Sequence, residues 1–176
     1  MLETPSADPV NDVLRCGALG TGPLGRVLRR YGLTLQWVEA GIPIPGSYWG
    51  DTEAGLIGAA LYVRNDTPVH SLLHETCHYV CMDESRRRGL HTNAGGDYME
   101  ENGVCFLQIL LADHIPALGR ARLMQDMDRW GYSFRLGSTA AWFTQDAEDA
   151  REWLLEHRLV DATLNPTWRV RGRNAA

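Results

Sequence analysis

His74, Glu75 and His78, in the run His74-Glu75-Thr76-Cys77-His78, have the types and spacing for metal chemistry. On a helix, residues four apart stand one above the other, so both imidazoles can reach one ion. Glu75 is turned by roughly 100° from His74. That sets its carboxylate beside the ion, where it can take a proton from a water that the metal activates. The spacing therefore makes a metal-activated water feasible, with Glu75 as general base.

Such a pair must sit on a helix, and the flanking residues supply one. Asp66-Thr67-Pro68 reads as a helix start, with Asp66 or Thr67 as N-cap and proline in the first turn. Leu72, Leu73, Thr76 and Val80 form an apolar flank beside the stripe His70, His74 and His78. The pattern predicts a helix from about Pro68 to about Cys81. Upstream, Gly55–Val63 is rich in apolar residues and reads as one strand feeding into that helix. With strand and motif helix in this order, residues of about 55 to 112 resemble the zincin metallopeptidases, in which a second helix follows. The resemblance implies Zn²⁺ as cofactor, a peptide or protein as substrate, and peptide-bond hydrolysis as the reaction. It also implies that the strand at the cleft edge pairs with an extended substrate.

A catalytic zinc site has three protein ligands and one open position. The metzincin branch continues with a glycine and a third histidine, but here those positions hold Cys81 and Glu84. The gluzincin branch takes a glutamate from the following helix, and the candidates are Asp97, Glu100 and Glu101. Asp97 follows a glycine pair and precedes a long apolar run, which suits an N-cap, and Glu100 three residues later completes a capping box. Glu101 has no such role. It shares a face with Cys105, Gln108 and Ala112 on a helix whose segment Val104–Ala112 is apolar nearly all round. An unpartnered carboxylate there costs several kcal/mol, which a metal ion would relieve. Glu101 is the preferred third ligand, ahead of Glu100 and then Asp97. Cys105 stands where gluzincin-like patterns carry an aspartate, which leaves support for the histidines unassigned.

Other residues near the motif have simpler explanations. His70 reads as a hydrogen-bonded core histidine, although a supporting or second-metal role is open to it. Cys77 and Cys81 read as small buried residues against the second helix. His91 and Tyr98 are candidate oxyanion donors, set against a surface histidine and a helix-start aromatic. Arg86-Arg87-Arg88 and Arg169, Arg171 and Arg173 read as solvated charge.

Composition bounds the rest. All 17 basic residues are arginine, which removes the lysine chemistry of Schiff bases and P-loops. A net charge of -5 argues against a nucleic-acid partner. No stretch is long and apolar enough for a membrane span, and Met1–Asp8 lacks the basic start and apolar run of a secretory leader. The cysteines at 16, 77, 81 and 105 form no disulfide pattern, so a reducing cytoplasm is expected.

The expected architecture is a single α+β domain over residues 1–176. A small, mostly antiparallel sheet of two to four strands packs on the motif helix and on the glutamate-bearing helix, and C-terminal helices close it. Leu24–Tyr31 reads as a helix, Leu33–Val38 as a strand and Tyr48-Trp49 as part of another. A helix follows at about Arg120–Arg129, and a long helical region runs from Ser138 or Thr139 to near His157. Residues 1–10 and about 163–176 are expected to be loose ends. The function expected is a zinc-dependent hydrolase of peptidase type. Its rival is a non-catalytic metal-binding domain that serves structure or a partner.

Overall fold

The computed structural model describes residues 12–173; the expected loose N-terminus, residues 1–10, lies outside them. The architecture is α+β. Helices α1 (Cys16–Leu19) and α2 (Thr21–Arg30) precede strand β1 (Thr34–Trp37). Strands β2 (Gly55–Ile57) and β3 (Ala60–Val63) follow, then α3 (Val69–Cys81), α4 (Glu84–Arg88) and α5 (Tyr98–Ala112). The chain closes with α6 (Gly119–Trp130), α7 (Thr139–Gln145) and α8 (Glu148–Glu156).

The sheet is mixed, in the order β1-β3-β2, with β3 parallel to β1 and antiparallel to β2. The single strand expected over Gly55–Val63 is a hairpin instead. Gly58, with φ 56°, turns the chain between Ile57 and Ala60, a left-handed conformation that glycine takes without steric cost. Periodicity alone could not locate this turn, because apolar residues flank it on both sides. Tyr48-Trp49 forms no strand; its neighbour Ser47 makes one isolated bridge to Gly55.

Helix α3 begins at Val69, with Pro68 as N-cap and no side-chain cap. Thr67, an expected cap, spends its hydroxyl on the Arg64 N–H (2.9 Å), while Asp66 pairs with Arg64. The start of α5 follows the expected logic: Asp97 is the N-cap and accepts the Glu100 N–H at 2.9 Å. The long helix expected after Ser138 is two helices, α7 and α8, and Ser138 accepts the Ala141 N–H.

The core sits where α3 and α5 pack together, with the sheet on α3 and with α6 and α8 on α5. Leu72, Leu73, Phe106 and Leu107 are fully buried there, each contributing roughly 1.5–3 kcal/mol.

Of the arginines expected to be solvated, Arg88, Arg169 and Arg173 are exposed, whereas Arg86, Arg87 and Arg171 are part of this framework. Arg87 is buried and donates to the carbonyls of Tyr79 (3.0 Å) and Met82 (2.5 Å) at the end of α3, and to Arg171 O (3.0 Å). Its guanidinium thus satisfies carbonyls that a helix C-terminus leaves without partners. The segment 163–173, which the sequence presents as a tail, lies against the body. The Arg171 N–H reaches Val80 O at 2.9 Å, and Val170 is buried.

Candidate metal centre

Helix α3 carries His74 and His78 on one stripe, and α5 brings Glu101 to meet them. The two Nε2 atoms are 3.1 Å apart. Glu101 Oε1 lies 3.3 Å from His74 Nε2, and Oε2 lies 3.4 Å from His78 Nε2. Donors bound at 2.0–2.2 Å to a tetrahedral zinc ion stand roughly 3.3–3.6 Å from one another. Two imidazole nitrogens and a carboxylate at this spacing fit that ion. The donor atoms of His74, Glu101 and Cys105 also lie within 4.8 Å of one another, with the Cys105 thiol 3.8 Å from Glu101 Oε1. The arrangement is zincin-like, and a metal ion can be held there.

Of the other acids, Asp97 sorts as capping predicts, and Glu100 does not close the expected capping box. Asp97 caps α5, and Glu100 turns away from the histidines toward Arg86 and Arg171, at 2.6 and 3.1 Å from its Oε2. The reciprocal half of the capping box gives way to these ion pairs.

Electrostatics divide the site sharply. Burial would raise the Glu101 pKa, but the hydrogen bond from His74 and the charges of His74 and His78 bring it down to about 2. Burial also works against a charge on His74; Tyr132, Cys105 and Glu101 around it prevail and hold it well above the usual imidazole range. Burial, aided by His74, pushes His78 down to about 3. Glu75 is 7% exposed, and burial lifts it to about 7, with Glu53 and Glu101 adding to the rise and His74 opposing it. A carboxylate poised near neutrality is suited to take and return a proton.

Glu75, His74, His78 and Glu101 line one cavity of about 230 Å³, walled further by Tyr48, Trp49 and Thr92–Gly95. Gly55 makes that wall possible. A Cβ there would stand 1.8 Å from Pro45 O, so only glycine lets the segment bearing Tyr48 and Trp49 lie against β2. A second cavity of about 300 Å³ is also lined by Glu101, together with Cys105, Tyr132, Phe134 and Trp142.

The edge of β2 is not open to a substrate strand, contrary to what the zincin resemblance implies. Leu56 N–H donates to Gly46 O (3.1 Å), and Leu56 O accepts from the Thr92 N–H (2.9 Å). Gly58 N–H donates to Leu90 O (2.9 Å), and Ile57 bridges to His91. The chain itself fills the edge. Thr92 does so at φ 68°, a left-handed conformation rare for a β-branched residue, with its hydroxyl 2.8 Å from His91 Nδ1.

His91 is thus engaged with its neighbours and is not in the lining of the Glu75 cavity. Tyr98 is 76% exposed and borders the second cavity. His70 is buried, with Nδ1 3.4 Å from the Tyr132 hydroxyl and Nε2 unpartnered. Cys77, Cys81 and Cys105 are buried free thiols.

Sequence reasoning missed three neighbours of the site. Gln108 is fully buried, with Oε1 2.8 Å from His74 Nδ1; a lone amide in an apolar run was the available signal. Tyr132 packs edge-on to His74, ring centroids 5.8 Å apart, and Glu53 accepts the Trp130 indole N–H at 2.8 Å. Nothing local marks either residue. Comparison of the chain with protein-family models, with curated proteins and with solved structures returns no match. Among the described residues, no helix is long and apolar enough to cross a membrane.

Proposed function

We propose that this protein is a zinc-dependent hydrolase of peptidase type, with His74, His78 and Glu101 as the metal ligands and Glu75 as general base. The observation that carries the reading is the convergence of two Nε2 atoms and both Glu101 oxygens within 3.1–3.4 Å, in a cavity that Glu75 also lines. When bound, the zinc ion supplies Lewis-acid activation of a water and of the substrate carbonyl. Glu75 accepts the proton that the water gives up and returns it to the leaving amine nitrogen. Burial raises its proton affinity above that of an ordinary carboxylate, which suits a group that must take up a proton.

The test is metal analysis of the full chain purified without a histidine tag, followed by comparison with Glu75→Gln. Stoichiometric zinc in both proteins, with amide hydrolysis only in the wild type, is the expected result. If the Gln variant keeps zinc and every activity of the wild type, Glu75 is not the base. A second reading, a metal-bearing domain without catalysis, is favoured by the filled edge of β2, which takes away the backbone on which an extended peptide would dock. Zinc without hydrolysis of any amide, in long or short substrates, would select it.

A further inference from the structure

The face of α5 that carries Glu101 carries a second polar residue two turns on. Gln108 is fully buried between α3 and α5, and its two amide atoms contact two different groups of α3. Nε2 faces His70 O at 3.3 Å, and Oε1 faces His74 Nδ1 at 2.8 Å. A backbone carbonyl can only accept, so the amide NH₂ must point toward His70 and the amide oxygen toward His74. An amide oxygen also can only accept. His74 Nδ1 must therefore carry a hydrogen, whatever the state of Nε2, and Nε2 is the nitrogen left for the ion. The tautomer follows from donor and acceptor chemistry, with no free choice of amide orientation.

We propose that Gln108 is a positioning residue that fixes the ring of His74 and reserves its Nε2 for the metal. This inference rests on the metal reading given above. Tyr132 closes the assembly: its ring stands edge-on to His74 and to His70, with centroids 5.8 and 5.4 Å away. His78 has no counterpart to Gln108. Its Nδ1 is buried with no partner among the described residues, so no acceptor behind the ring reserves its Nε2 for the ion. One imidazole is set in advance and the other is not. Because Gln108 is neutral, it orients His74 without adding a negative charge to the carboxylate of Glu101.

The experiment compares the wild type with Gln108→Leu and Gln108→Glu, using the full chain and Zn²⁺ alone in competition with a fluorescent chelator. Nitrogen-15 NMR of the His74 ring provides a second readout. The wild type should give a slowly exchanging Nδ1 proton on His74, with and without zinc. Gln108→Leu should lose that protection and bind zinc 10- to 100-fold more weakly, the usual effect of removing a partner behind a ligand. Gln108→Glu, which restores an acceptor, should recover the proton and bind within a few-fold of the wild type. If Gln108 only filled space, Gln108→Leu would keep the zinc affinity and the slow Nδ1 exchange of the wild type; that outcome overturns the proposal. Equal zinc affinity in all three proteins also overturns it. A wild type that takes up no zinc defeats the metal reading instead, while the His74 Nδ1 proton in metal-free protein still decides whether Gln108 fixes the ring.

Discussion

Glu100 and Glu101 are neighbours on one turn of α5, yet the two faces they occupy behave as different regions of the molecule. Glu100 is the more buried, and its carboxylate lies between Arg86 and Arg171. Burial raises its pKa even against those two guanidiniums. Glu101 is more exposed and faces two imidazoles and the Cys105 thiol, which together hold it at about 2 against burial. The first carboxylate is satisfied by charges that the chain supplies, and it joins α4 and the segment around Arg171 to α5. The second meets nitrogens whose lone pairs can be shared with a cation. Burial of a carboxylate therefore does not identify a ligand; the identity of its partners does.

That contrast can be broken by exchanging which face is damaged. Glu101→Ala should weaken zinc binding by more than the roughly 100-fold typical of losing a partner behind a ligand, while Glu100→Gln leaves zinc affinity within a few-fold. Chelator competition on both variants measures this, and a larger loss for Glu100→Gln would move the ligand to that residue. Stability should show the reverse order. Glu100→Gln leaves Arg86 and Arg171 without their shared carboxylate and should cost about 3 kcal/mol in urea unfolding of metal-free protein. Glu101→Ala should cost much less.

Asp97 sharpens the comparison from the structural side. Asp97→Ala removes the cap on the Glu100 N–H and should cost about 1 kcal/mol with zinc affinity unchanged. The smallest effect is in pH dependence. Glu101 falls from an ordinary value of 4.5 to about 2 on folding. Its contribution to the stability of metal-free protein is therefore complete above about pH 4.5 and is lost as pH falls toward 2. Unfolding curves of wild type and Glu101→Gln should converge over that interval. A parallel pair of curves would mean that Glu101 does not feel the histidines.

Much of the site is legible in the residues themselves, and the reasons are local. His74 and His78 share a helix stripe because of a four-residue spacing, and Asp97 is separated from Glu100 and Glu101 by the geometry of a helix start. The departures also have local causes. Gly55–Val63 is apolar on both sides of Gly58, so periodicity hides the hairpin, and Arg87 looks like any surface arginine until the end of α3 is set against it.

The sequence by itself determined the motif helix and the capped helix that follows, because periodicity and capping act over three or four residues. Tertiary structure alone decided that Gln108 meets His74, that Glu100 meets Arg171, and that Leu90–Thr92 fills the edge of β2. Those contacts join elements far apart along the chain. They depend on how whole helices pack, and no local pattern of residue types records that.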